Sequence, residues 1–107
     1  MRILLDQGTP APLRDHFSGH SVETAYEKGW SSLSNGELLA KAEADFDLLI
    51  TTDRNLRGQQ NMSGRKLAIL VLPTTNWMRL RTIATNIAEF ARAVQSGEIK
   101  EFPLQRP

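Results

Sequence analysis

The stretch Asp47-Leu48-Leu49-Ile50-Thr51-Thr52-Asp53 constrains the fold more than any other part of the chain. An unbroken apolar run that closes on two threonines and an acid lacks the polar alternation of a half-exposed strand. It fits a strand buried on both faces that stops at a charged edge. Arg2-Ile3-Leu4-Leu5-Asp6 repeats the pattern in shorter form. If the two strands are parallel neighbours, Asp6 and Asp53 emerge at the same carboxyl-terminal edge, where open α/β sheets place their ligands. Two carboxylates there, in a chain without cysteine and without a well-placed histidine, point to a hard cation.

The other elements follow in order. After strand Arg2–Leu5 the chain turns through Gly8-Thr9-Pro10; Thr9 is expected to cap, and Pro10 to open, a short helix to about Phe17, ended by Gly19. His20 to Tyr26 reads as a second strand, closing a β-α-β unit, and Glu27 to Leu33 as loop. Ser34 or Asn35 caps a helix through Ala44 that turns Leu38, Leu39 and Ala42 to the core, with Glu37 in its first turn. Asp53 can cap a short helix from Arg54 to about Gln60, followed by a turn at Asn61–Gly64 and a strand at Lys66–Leu72. Trp77, Leu80, Ile83, Ala84, Ile87, Ala91 and Val94 recur at helical spacing, predicting one long amphipathic helix from about Asn76 to Gly97. Glu98–Phe102 reads as a last strand and the remainder as a loose tail. Strands and helices alternate from end to end, so the expected architecture is one domain over residues 1–107, a three-layer α/β/α sandwich around a mostly parallel sheet.

A chain of 107 residues suffices for one core. The longest apolar run, Leu67–Leu72, is far too short to span a bilayer, no basic-then-apolar leader is evident, and the absence of cysteine excludes disulfides and a thiol nucleophile. The expectation is a cytoplasmic protein with no membrane association. The net charge of +1 hides an asymmetry: residues 1–53 carry nine acids against four bases, and the remainder nine bases against three acids. From Arg54 to Arg81 there are six bases and no acid. An acidic centre with a basic rim is how a protein holds a metal while attracting phosphates, although a chance distribution of surface charge would look the same.

The candidate constellation at the sheet edge is Asp6, Glu37 and Asp53. Like charges brought to about 4 Å repel by roughly 4 kcal/mol at an effective dielectric near 20. A divalent cation removes that cost, and Mg²⁺ or Mn²⁺, which take a few carboxylates and keep their waters, acidify a water that attacks phosphodiesters. Arg54, Arg57, Arg65 and Arg79 are the candidates to line the approach of a nucleic acid. Structural readings compete at several positions: Asp53 as a helix cap, Glu37 as a charge on the helix dipole, Gln59-Gln60-Asn61 as a polar turn. Of the two tryptophans, Trp77 follows the core periodicity and Trp30, in a polar loop, is the better base-stacking candidate. His16 and His20 flank a helix end and make a poor metal pair.

Ile3-Leu4-Leu5-Asp6, then Ser34-Asn35-Gly36-Glu37-Leu38-Leu39, then Leu49-Ile50-Thr51-Thr52-Asp53 together resemble the PIN domain, in particular its short bacterial PIN-like branch related to VapC-type toxins. The similarity runs from Met1 to about Trp77. It implies a PIN-like fold, Asp6, Glu37 and Asp53 as metal ligands, Mg²⁺- or Mn²⁺-dependent cleavage of single-stranded RNA, and a cognate antitoxin as partner, with a homodimer as a further arrangement. Such domains commonly carry an asparagine or acid just after the first aspartate and a further acid near the third, where this chain has Gln7, Gly8 and Asn55. That departure keeps a second reading in view, a non-catalytic PIN-like module that binds nucleic acid or protein. A third is a receiver-like phospho-acceptor domain, suggested by acids ending two strands and by Thr74 or Thr75 after a later one.

Overall fold

A computed structural model of the chain describes residues 1–54, 56 and 64–103. The apolar runs form strands β1 (Arg2–Leu5), β3 (Leu48–Thr51) and β4 (Ala68–Val71), flanked by β2 (Ser21–Thr24) and β5 (Ile99–Glu101). All four pairings are parallel, in the order β2-β1-β3-β4-β5. Every residue of β3 and β4, two of the three inner strands, is buried, as a strand covered on both faces requires.

Side chains alternate between the faces, and each face has its own helical cover. Ile3, Leu5, Leu48, Ile50 and Leu70 pack against Leu13 and Phe17, around the 3₁₀ helix Ala11–His16, and against Leu80, Ala84 and Ile87 of the later helices. Leu4, Leu49 and Ile69 pack on the other side against Leu38, Leu39 and Ala42 of helix α1 (Asn35–Asp45), joined by Leu56. The fold is thus α/β with helices on both sides of an all-parallel sheet. The chain crosses from β1 to β2 over the first face and returns from β2 to β3 over the second, two moves of the same hand. From β4 to β5 it steps away from β2 yet passes again over the first face, so this last crossover has the opposite hand, against the strong preference of such units.

Three expected details differ. Thr9 does not cap: its buried hydroxyl donates to the Ile50 carbonyl at 3.1 Å, and Pro10 occupies the cap position without a side-chain bond. The long helix is broken into α2 (Trp77–Leu80), a 3₁₀ turn (Arg81–Ile83) and α3 (Ala84–Ala93). Within the break the Thr82 hydroxyl donates to the Arg79 carbonyl at 2.8 Å, a local bond that competes with the regular ladder. The helix also stops at Ala93 rather than Gly97. Gly97 serves a tight turn instead: at φ +81° an added Cβ would lie 3.0 Å from the Arg65 carbonyl. Among the described residues no helix is long and apolar enough to cross a membrane.

Candidate functional site

The register Leu5↔Ile50↔Leu70 brings the carboxyl ends of β1, β3 and β4 level. Asp6 follows β1 and Asp53 follows β3, with Thr51 between them. The Asp6 backbone N–H donates to the Ile50 carbonyl at 2.9 Å, which seats the residue against β3. Its carboxylate accepts the Gln7 N–H on Oδ1 at 2.7 Å and the Thr51 hydroxyl on Oδ2 at 2.8 Å. The same hydroxyl accepts the Asp53 N–H at 3.1 Å. Burial pushes the Asp6 carboxyl above its ordinary range; the Thr51 and Gln7 hydrogen bonds pull it down, and the Asp53 charge pushes it up again. The two aspartates therefore act on one another electrostatically across the boundary between β1 and β3.

Gly8 helps to close this edge. At φ +91° it turns the chain so that a Cβ would sit 3.3 Å from the Thr52 hydroxyl, a contact that leaves little room for a larger residue.

Helix α1 contributes Asn35 where Glu37 was expected. The Asn35 Nδ2 donates to Asp53 Oδ2 at 3.0 Å. Glu37 instead forms a capping box: its Oε1 accepts the Ser34 N–H at 3.1 Å and the Ser34 hydroxyl at 2.9 Å, while the Ser34 oxygen accepts the Glu37 N–H at 3.3 Å. Those bonds hold the Glu37 carboxyl below its ordinary range, the Ser34 backbone N–H foremost. Asp6 and Asp53 are thus brought together, and Glu37 is directed to its own helix terminus. Among the described residues no three acids or histidines form a group able to hold a metal. Two do suit a modest one: Mg²⁺ and Mn²⁺ bind through one or two carboxylates while retaining water, and each Asp6 oxygen keeps a lone pair beyond the hydrogen bond it accepts.

The expected basic approach divides by strand direction. Arg54 and Arg79 lie at the carboxyl edge, both exposed; the Arg54 guanidinium donates to the Pro73 carbonyl at 3.3 Å, and Arg79 borders a cleft of about 350 Å³ with Pro73, Thr74 and Met78. Arg65 precedes β4 and lies at the opposite edge, beside Gly97. Arg57, Asn55 and Gln59-Gln60-Asn61 lie outside the described residues, as does most of the expected helix from Arg54 to Gln60.

The aromatic and histidine assignments also resolve. Trp30 is half-buried, edge-on to Phe46 at 6.1 Å with the Lys28 ammonium 5.2 Å from its ring centre, so it packs rather than presents a free face. Trp77 joins the core, its ring 6.1 Å from His16, while the His20 Nδ1 sits 2.9 Å from the terminal amine. Sequence reasoning missed Thr51, Asn35 and Gly8 as parts of the edge. The one available signal was a pair of threonines ending an otherwise aliphatic run. Comparison of the chain with family models, curated proteins and solved structures gives no match.

Proposed function

We propose that the chain is a PIN-like, metal-dependent endoribonuclease acting on single-stranded RNA, with Asp6 and Asp53 holding Mg²⁺ or Mn²⁺. The observation that carries this reading is the pairing of the two carboxylates through Thr51 at the β1–β3 boundary. The strand order reverses there, and an open parallel sheet forms its ligand crevice at such a point. Asp6, held above its ordinary range by burial and by a like charge, carries an electrostatic cost that a bound cation lifts. When bound, the ion would supply an acidified water for attack on a phosphodiester. Arg54 and Arg79 on the same edge offer charge to the RNA backbone. As in the toxins that the sequence resembles, a cognate antitoxin in the cytoplasm would restrain the activity.

One observation favours a second reading, a PIN-like module that binds RNA without cutting it: Glu37 is committed to its capping box, which leaves two carboxylates at the edge. The receiver-like reading draws less support, because the Thr74 hydroxyl is engaged by the Asn76 N–H at 3.1 Å and the last crossover breaks the uniform hand of a doubly wound sheet.

The deciding experiment incubates purified protein with unstructured RNA and Mn²⁺ or Mg²⁺, beside an Asp6→Asn variant. The expected result is slow, metal-dependent fragmentation by wild type and none by Asp6→Asn. Equal rates and identical fragments from both proteins would remove the enzyme reading and leave the binding module.

A further inference from the structure

We propose that the depression at the β2 edge of the sheet, between the 3₁₀ helix Ala11–His16 and the turn after β2, receives one unpaired RNA base stacked on Tyr26. The inference rests on the ribonuclease reading and adds a substrate subsite to it. At 83% exposure Tyr26 is the most exposed large apolar side chain among the described residues. Its position is set by the sheet. The Ala25 N–H donates to the Leu5 carbonyl at 2.8 Å, so the pairing that sets Leu5 against Thr24 continues one residue past the strand. Tyr26 then emerges just beyond the position flanking Asp6.

The depression has a volume of about 520 Å³ and is bordered by Tyr26, Pro12, Arg14, Asp15 and Glu27. Its charges suit a base and not a phosphate. Asp15 and Glu27 are carboxylates that repel a phosphate, and Arg14 is already committed to an ion pair with Glu27. Glu27 is further fixed by the Thr24 N–H at 2.9 Å, and the Glu27 N–H donates to the Thr24 hydroxyl at 3.0 Å. The floor is therefore arranged before a ligand arrives, which lowers the ordering cost of binding. Aromatic stacking accepts any base, because every base has a π face.

On the far side of the acids the charge reverses. Arg54 follows β3 and Arg79 follows β4, two and three strand spacings from β2, roughly 10 and 14 Å. A strand with one base on Tyr26 and its next phosphates toward Arg54 and Arg79 passes over Asp6 and Asp53. Stacking on one side and phosphate attraction on the other is the combination by which single strands are held.

The test measures binding of short, unstructured, fluorescently labelled oligoribonucleotides, intact or abasic at one position in turn, in the Asp6→Asn background so that no cleavage intervenes. Tyr26→Ala is expected to weaken binding of the intact oligomer about tenfold, within the range for loss of one stacked base. Tyr26→Phe, which keeps the ring, should bind within about twofold of the parent. One abasic position should weaken the parent similarly and Tyr26→Ala no further. If the parent binds RNA and Tyr26→Ala binds equally well, the subsite is wrong while the ribonuclease reading stands. If wild type neither binds nor cuts any of the oligomers, that reading fails and the subsite with it.

Discussion

Thr51 donates its hydroxyl hydrogen to Asp6 Oδ2 at 2.8 Å and accepts the Asp53 N–H on the same oxygen at 3.1 Å, so one buried side chain joins the ends of β1 and β3. Thr51→Val keeps the shape and deletes both bonds. Leaving a half-buried carboxylate and a backbone N–H short of partners is expected to cost about 1–3 kcal/mol, read as a lower midpoint in urea. Thr51→Ser loses only a methyl, at a cost of about 1 kcal/mol. The two variants separate in the Asp6 titration, followed by carboxyl-carbon NMR. It should move upward in the valine variant, which lacks a donor to the charged form, and stay in place in the serine variant. Equal titration in both would mean that the hydroxyl does not support the Asp6 charge.

A second expectation concerns pH. A carboxyl whose folded-state pKa is raised binds its proton more tightly folded than unfolded. Its contribution to stability is fully present below the unfolded value of roughly 3.9 and is lost as pH rises through the raised folded value. At neutral pH the ionised Asp6 therefore costs the metal-free protein stability. Asp6→Asn should stabilise that protein at pH 7 by on the order of 1 kcal/mol and should flatten the loss of stability on going from mildly acidic to neutral pH. The replacement amide can be accommodated, since the Thr51 oxygen has a second lone pair to accept from it. Glu27, Glu37 and Glu43 are held below their ordinary range, so their contributions are present above it and disappear only in stronger acid. Thermal melts with chelator across this range decide the matter; a variant less stable at pH 7, with the wild-type slope, would show that ionised Asp6 is favourable.

Much of this edge was legible in the sequence because aliphatic runs fix strands, and strands that share a direction fix which acids share an edge. Ser34 and Glu37 also have the spacing of a capping box, and spacing alone does not decide between that bond and a place at a metal. In the structure Asn35 reaches Asp53 and Glu37 turns back to Ser34. Thr9 and Thr51 bond across strands to partners 41 and 45 residues away, which no local pattern reports. The misplaced Arg65 is different in kind. It lies ahead of a parallel strand and so at the opposite edge, a consequence of strand direction. Tyr26 was hidden by treating His20–Tyr26 as one strand; β2 ends at Thr24, and the ring is released to solvent.

Strand direction yields a third expectation. Replacing Arg54 or Arg79 with glutamine should each make the log–log dependence of RNA affinity on salt shallower by roughly 0.7, the value for one phosphate contact with a single strand. Arg65→Gln, at the opposite edge, should leave the slope unchanged. A slope that responds to Arg65 and not to Arg54 or Arg79 would place the RNA at the amino-terminal edge of the sheet and away from Asp6.

The last expectation uses Asn35. Its Nδ2 donates to Asp53 Oδ2 at 3.0 Å from the first position of α1, and Asn35→Asp exchanges that donor for a third carboxylate. Two effects oppose one another in the metal-free protein. An acid at a helix amino terminus gains about 0.3–1 kcal/mol from the dipole. Against it stand the lost bond to a charged acceptor, worth about 1.5–3 kcal/mol, and a new like-charge contact. The repulsion and the lost bond should win, lowering stability by about 2 kcal/mol in chelator. With Mn²⁺ the order should reverse, because a third carboxylate raises affinity. An ion present at a hundred times its dissociation constant adds about 2.7 kcal/mol of stability, and tighter binding by the variant makes the gain at a fixed Mn²⁺ concentration larger than in wild type. Asp53→Asn provides the opposite control and should gain less than wild type. Melts of the three proteins with chelator and with Mn²⁺ read both halves of the argument. If Asn35→Asp is destabilised in chelator and gains no more from Mn²⁺ than wild type, the cation is not held between Asp6 and Asp53, and the edge serves to bind RNA without metal.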